Sequence, residues 1–251
     1  MDAVKRSAMT AGELMRQLEA DPEFVARRAE KAARHAQRAE ICRKAEAPFL
    51  EALAKSGFQV ANVDDIARTF RPLPQSLIDL LIEWIPQVEH PKVQEMMTWQ
   101  LLAAPRRSLD GRFLTALYDS TCNDQLKWVI ADVIEQTQPS DVEAWLPQAI
   151  QNWRSGNARI LLASAITKML PTAQAIPILV TVFDDILLGA ADALGKIGDR
   201  DSLSFLSSKL LLASGVNKRA IQKAITRIEN RLRKIEARSE RDGTQPKQLK
   251  R

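Results

Sequence analysis

The imidazoles and thiols of this sequence are few: His35 and His90, Cys42 and Cys122. A zinc or di-metal centre needs three or four nitrogen, sulfur or carboxylate ligands at fixed spacing. Neither histidine has such neighbours, since His35 lies in a dense run of charges and His90 directly precedes Pro91. A glycine-rich phosphate loop and a nucleophile elbow are both missing. The acidic pair Asp184-Asp185 falls in a short break between apolar runs, where a carboxylate caps a helix; a catalytic pair would need a partner base. The chain is therefore read as non-enzymatic, with no metal and no cofactor. The two cysteines stand in unrelated contexts and are expected as buried or half-buried free thiols in a reducing cytoplasm.

Tryptophan is the remaining unusual chemistry: there are five, in a chain with only 5% aromatic residues. Trp145 and Trp153 fall on one helical stripe with Val142, Leu146, Ala149 and Ile150, so both are expected in the core. Trp84, in the apolar run 80–88, is expected there too. Trp99 and Trp128 differ. The inward stripes of their helices run through Val93, Met96, Met97 and Leu101, and through Leu126, Val129, Ile130 and Val133, and each tryptophan falls to one side. A partly exposed tryptophan is a frequent binding hot spot; packing between repeats is the alternative.

These residues must be held by helices. Asp21-Pro22-Glu23 is a helix start, with an N-cap aspartate, a first-turn proline and an acidic residue at the positive end of the dipole. The first helix is expected to run to about Ala47 over a seam of Val25, Ala29, Ala32, Ala36 and Ala39. A seam so short of bulk buries little area, so a charged cap and a projecting arm both fit. A second, shorter helix is expected from Pro48, closed at Gly57, and the proline-rich stretch 71–74 ends this leader. From Gln75 onward, apolar residues recur at three- and four-residue spacing between short breaks, which suits helices better than strands. The expected organisation is a flexible N-terminus (1–20), a helical leader or cap (21–73), about five stacked helix pairs (74–236) and a disordered basic tail (237–251).

Periodicity is the strongest signal. Leu101, Val133, Ile166, Leu194 and Ile225 align at spacings of 32, 33, 28 and 31 residues, each in the second helix of a pair. One pair cannot bury both its helices; stacked neighbours complete the core. The segment from Ala190 to Asp199, Ala-Ala-Asp-Ala-Leu-Gly-Lys-Ile-Gly-Asp, resembles the second helix and exit turn of bacterial HEAT repeats and the related repeats of phycobilin-lyase-type proteins. Its small residues would let neighbouring helices approach. The resemblance covers roughly residues 75–235 and implies an all-α fold: an α-α superhelix, or HEAT-like solenoid, behind the N-terminal helical leader.

In such solenoids the second helices line the concave face. That places a candidate partner-binding groove on the off-core positions, led by Trp99, Trp128, Lys168, Lys196, Lys223 and Arg227. Glu95, Asp124, Glu135, Asp192 and Arg219 belong to the same face. Charge is uneven along the chain: +2 over 1–46, −5 over 47–216 and +8 over 217–251. The basic terminal helix is either a solvated cap or a site for an acidic partner, protein or nucleic acid. The leading expectation is a protein–protein scaffold or adaptor acting through its concave face. The alternative is a nucleic-acid-binding protein resembling HEAT-like alkylpurine DNA glycosylases, with Asp124 near Trp128, or Asp192, standing in for the catalytic aspartate. A chromophore-lyase-type role ranks below both. With neither an apolar run of about 18 residues nor a signal core, the expected location is the cytoplasm and no membrane partner is expected.

Overall fold

The computed structural model describes residues 10–243, with side-chain environments through Ala237. It is all-helical. The leader comprises α1 (Ala11–Glu19), α2 (Pro22–Lys55) and α3 (Ile66–Thr69). Then follow α4 (Gln75–Trp84), α5 (Pro91–Gln100), α6 (Gly111–Ser120), α7 (Asp124–Thr137), α8 (Leu146–Gln151) and α9 (Ala158–Met169). The chain closes with α10 (Thr172–Thr181), α11 (Leu187–Ile197), α12 (Arg200–Leu210) and α13 (Gly215–Gly243). No strand occurs among the described residues, and no described helix is long and apolar enough to cross a membrane.

The leader departs from expectation in three ways. Residues 11–19 form a helix, started by a capping box of Thr10 and Glu13; residues 1–9 lie outside the described residues. The break expected at Pro48 does not occur, and α2 continues through it. Proline removes one backbone hydrogen bond, but Glu46, Phe49 and Leu53 anchor the helix on both sides of it in the core. The alanine seam is exposed at Ala29, Ala32, Ala36 and Ala39, so this part of α2 stands clear of the core as an arm. Buried Glu46 accepts a hydrogen bond from the Val63 amide at 3.2 Å, and burial raises its carboxyl above the usual range.

From α5 onward the odd-numbered helices pack in succession, α5 on α7, α7 on α9, α9 on α11 and α11 on α13. The even-numbered helices α6, α8, α10 and α12 each pack against the odd helix that follows. One hydrophobic cluster joins the whole, from Phe49 on α2 to Ile228 on α13. The five aligned positions Leu101, Val133, Ile166, Leu194 and Ile225 are all buried, on four odd helices and the turn that extends α5.

The stripe expected over 142–153 is shorter than its pattern implies. Only six residues there form α8, and Asn152 leaves the helix with extended backbone, its side chain accepting from the Arg154 amide. Trp153 is thereby turned out to solvent, 74% exposed, rather than buried. Trp145 is half-buried edge-on against Tyr118, and its indole N–H donates to Asp119 at 3.0 Å. At the far end, α13 continues as helix to Gly243, so the first part of the tail is helical; residues 244–251 lie outside the described residues.

Two glycines on α11 set its distance from its neighbours. A Cβ on Gly189 would lie 3.0 Å from the Ile160 Cα of α9, and one on Gly195 would lie 3.0 Å from the Ala224 Cα of α13. These obstacles are backbone and cannot rotate away. Gly195→Val should therefore destabilise the protein by about 2 kcal/mol or more despite valine's better helix propensity. Gly12→Ala, on α1 with open space around it, should not destabilise; urea titrations of the two variants test the contrast. Tyr118 offers a second check, since it is the only tyrosine. Burial pushes its phenol up to about 12. The unfolded phenol ionises near 10, so this contribution to stability is complete below about pH 10 and lost as pH rises toward 12. Ultraviolet titration should show no tyrosinate until about pH 12 or until the chain unfolds.

Candidate functional site

Of the predicted groove residues, Lys168, Lys196 and Arg227 are brought together across neighbouring helices, and their charges are already used. A continuous chain of side chains crosses four helices. Lys168 on α9 pairs with Glu135 on α7 at 2.5 Å. Ser164 on α9 donates to the same carboxylate at 2.9 Å and accepts from Lys196 of α11 at 3.4 Å. Lys196 also pairs with Asp192 at 2.8 Å, and Asp192 receives Arg227 of α13 at 2.5 Å. Lys168, Lys196 and Arg227 are thus bound to carboxylates of the fold, where their off-core spacing predicts them free for a partner. Lys223 differs: it is exposed and has no side-chain hydrogen bond or ion pair among the described residues.

Carboxylates on this face titrate in opposite directions. Partial burial would raise Asp192, but Lys196 and Arg227 outweigh it and hold it below the ordinary aspartate range. Asp132, one turn before Glu135, is raised, first by burial and further by the Glu135 charge. Glu95 and Glu135, taken from sequence as off-core, are both buried. Glu95 accepts from Lys92 at 3.0 Å and from the Asn123 amide at 3.1 Å, linking α5 to the start of α7.

Two recesses remain open at the α5–α9 end, each walled by one of the two singled-out tryptophans. The first, of about 480 Å³, lies between the leader and α5 and is lined by Asp64, Ala67, Arg68, Lys92, Glu95, Met96, Trp99 and Gln100. Its floor is rigid, because the Ala67 amide donates to Gln100, which donates in turn to the Met96 carbonyl, both at 3.0 Å. Trp99 is 46% exposed. The second, of about 340 Å³, is lined by Asp124, Gln125, Trp128, Asn157 and Ile160. Trp128 is half-buried there, one helical turn from exposed Asp124, which has no ion-pair partner among the described residues. Asp124 and Trp128 therefore do come together, whereas Asp192 is locked between two cations.

Other expected positions resolve differently. Neither Asp184 nor Asp185 caps α11, whose preceding residue is Ile186. Asp184 instead pairs with Lys209 at 2.6 Å and Asp185 with Arg159 at 2.8 Å. Cys42 is half-buried, but Cys122 is exposed; both are free thiols. Among the described residues no group of three or more histidine, cysteine or carboxylate side chains is placed to hold a metal ion. Sequence reasoning missed two arginines. Arg159 is buried and donates to the Ile150 carbonyl at 2.5 Å, tying α9 to α8. Arg231 donates to the carbonyls of Gly195, Lys196 and Gly198, satisfying the end of α11. Arg231 had a legible signal, one turn beyond Arg227 on the side facing α11; Arg159 had none.

The Glu135–Lys168 pair is asymmetric, with side-chain exposures of 9% and 30%. Removing the lysine strands a buried carboxylate, while removing the carboxylate leaves an amine that reaches water. Lys168→Met should therefore destabilise more than Glu135→Gln, each by about 1–3 kcal/mol, and the double variant by less than the sum. A denaturation double-mutant cycle measures this. Comparisons with protein-family models, curated proteins and solved structures return no match for this chain.

Proposed function

We propose that this chain is a HEAT-like helical-repeat protein, wound as an α-α superhelix, that binds a protein partner through the face of its odd-numbered helices. The superhelical reading is supported by the succession of α5, α7, α9, α11 and α13 and by the buried, repeat-spaced positions 101, 133, 166, 194 and 225. The observation that carries the binding reading is the pair of tryptophan-walled recesses on consecutive odd helices. An extended segment of a partner could place one side chain in each. The ion-paired remainder of the face acts as a rigid polar rim, since its charges are satisfied before any partner arrives. The same pairing argues against a phosphate track, because Lys168, Lys196 and Arg227 each face a carboxylate of the fold. Two free cysteines suit a reducing compartment such as the cytoplasm.

Selection of peptides from a random library on the immobilised full chain tests the reading. Selected peptides should bind Trp99→Ala at least tenfold more weakly than wild type, a size typical of hot-spot truncation. Because Trp99 is 46% exposed, stability should change by no more than about 1 kcal/mol. Val25→Ser, on the exposed arm, should leave binding unchanged. Unaltered affinity of every selected peptide for Trp99→Ala would remove the face from consideration.

A further inference from the structure

The corner where α12 turns into α13 combines two features that the tryptophan-walled recesses do not use. Leu211 and Leu212 stand on the turn at 86% and 88% exposure, and Val216 follows at 57%. Adjacent leucines so exposed contribute little to the core and, with Val216, form an exposed apolar patch. Around them, Lys218, Arg219 and Lys223 are exposed and have no ion pair among the described residues. No aspartate or glutamate occurs between Asp201 and Glu229, and the acid that lines this corner from elsewhere in the chain, Asp184, is paired with Lys209, the other cation there.

From this juxtaposition we propose that the α12–α13 corner is a contact site for an anionic lipid bilayer. The leucines project from a chain turn, which suits insertion of a few side chains to a depth of about 5–10 Å at the headgroup boundary. Val216, Arg219 and Lys223 fall within two turns of one helix, at a rise of about 1.5 Å per residue, so the cations reach the headgroup level as the leucines enter. Apolar insertion and headgroup attraction supply the two signals that stable peripheral binding needs. A nucleic acid, or a partner offering only carboxylates, would meet the cations but leave two exposed leucines in water. The contact is peripheral, consistent with the lack of a membrane-crossing helix among the described residues.

Co-sedimentation of the full chain with vesicles tests this, using phosphatidylcholine alone and an equal mixture of phosphatidylcholine and phosphatidylglycerol at low salt. Wild type should pellet with the anionic vesicles and stay in solution with the neutral ones. The double variant Leu211→Ser, Leu212→Ser should bind at least tenfold more weakly, about 1.4 kcal/mol, with unchanged melting because both side chains are exposed. The triple variant Lys218→Gln, Arg219→Gln, Lys223→Gln should lose binding. No binding to anionic vesicles overturns the proposal, and so does binding that ignores the leucine pair. Retention on duplex DNA or an acidic peptide without vesicle binding overturns it in favour of an acidic macromolecule.

Discussion

The approach of α11 to its two neighbours governs the rest of the molecule. Gly189 meets Ile160 on one side and Gly195 meets Ala224 on the other, each close enough that an added carbon would press on backbone. At that separation polar side chains span the gaps. Asp192 reaches Arg227, and Lys196 reaches Ser164. Bulkier residues there would push the helices apart and strain those pairs and the Arg231 bonds to the carbonyls ending α11. Helix spacing therefore comes first, and the polar chain follows from it.

That order explains what the face offers a partner. Its charges look like a binding surface in sequence, yet most hold one helix to the next. Such pairs contribute little net stability where exposed, and removing one partner of a half-buried pair is costly. What stays free is at the ends. At one end two recesses are walled by Trp99 and Trp128; at the other, cations of α13 face solvent without carboxylates. A partner segment at the first end and a bilayer at the second would engage separate surfaces.

Much of the fold was legible because helix spacing leaves a periodic trace. The start at Gln75, the five buried repeat positions and the small residues of α11 all follow from apolar spacing and residue size. Pro48 misled because local propensity was read without the core contacts of Phe49 and Leu53, which carry the helix through it. Trp153 misled because a periodic stripe says nothing about where a helix ends, and Asn152 ends this one early. Trp99 and Trp128 were found because they sit off their own stripes. The pairings of Lys168 with Glu135, Lys196 with Ser164 and Arg227 with Asp192 were not legible: these partners lie 32 to 35 residues apart and only packing brings them together, whereas Lys196–Asp192 is a local i,i+4 pair.

The most direct test of the partner face is to follow the indole N–H resonances of the five tryptophans during titration with a selected peptide. If the face is as proposed, Trp99 and Trp128 shift together with occupancy, while Trp84 and Trp145, packed into the body of the protein, stay in place. Saturable binding that leaves Trp99 and Trp128 unmoved would contradict the account.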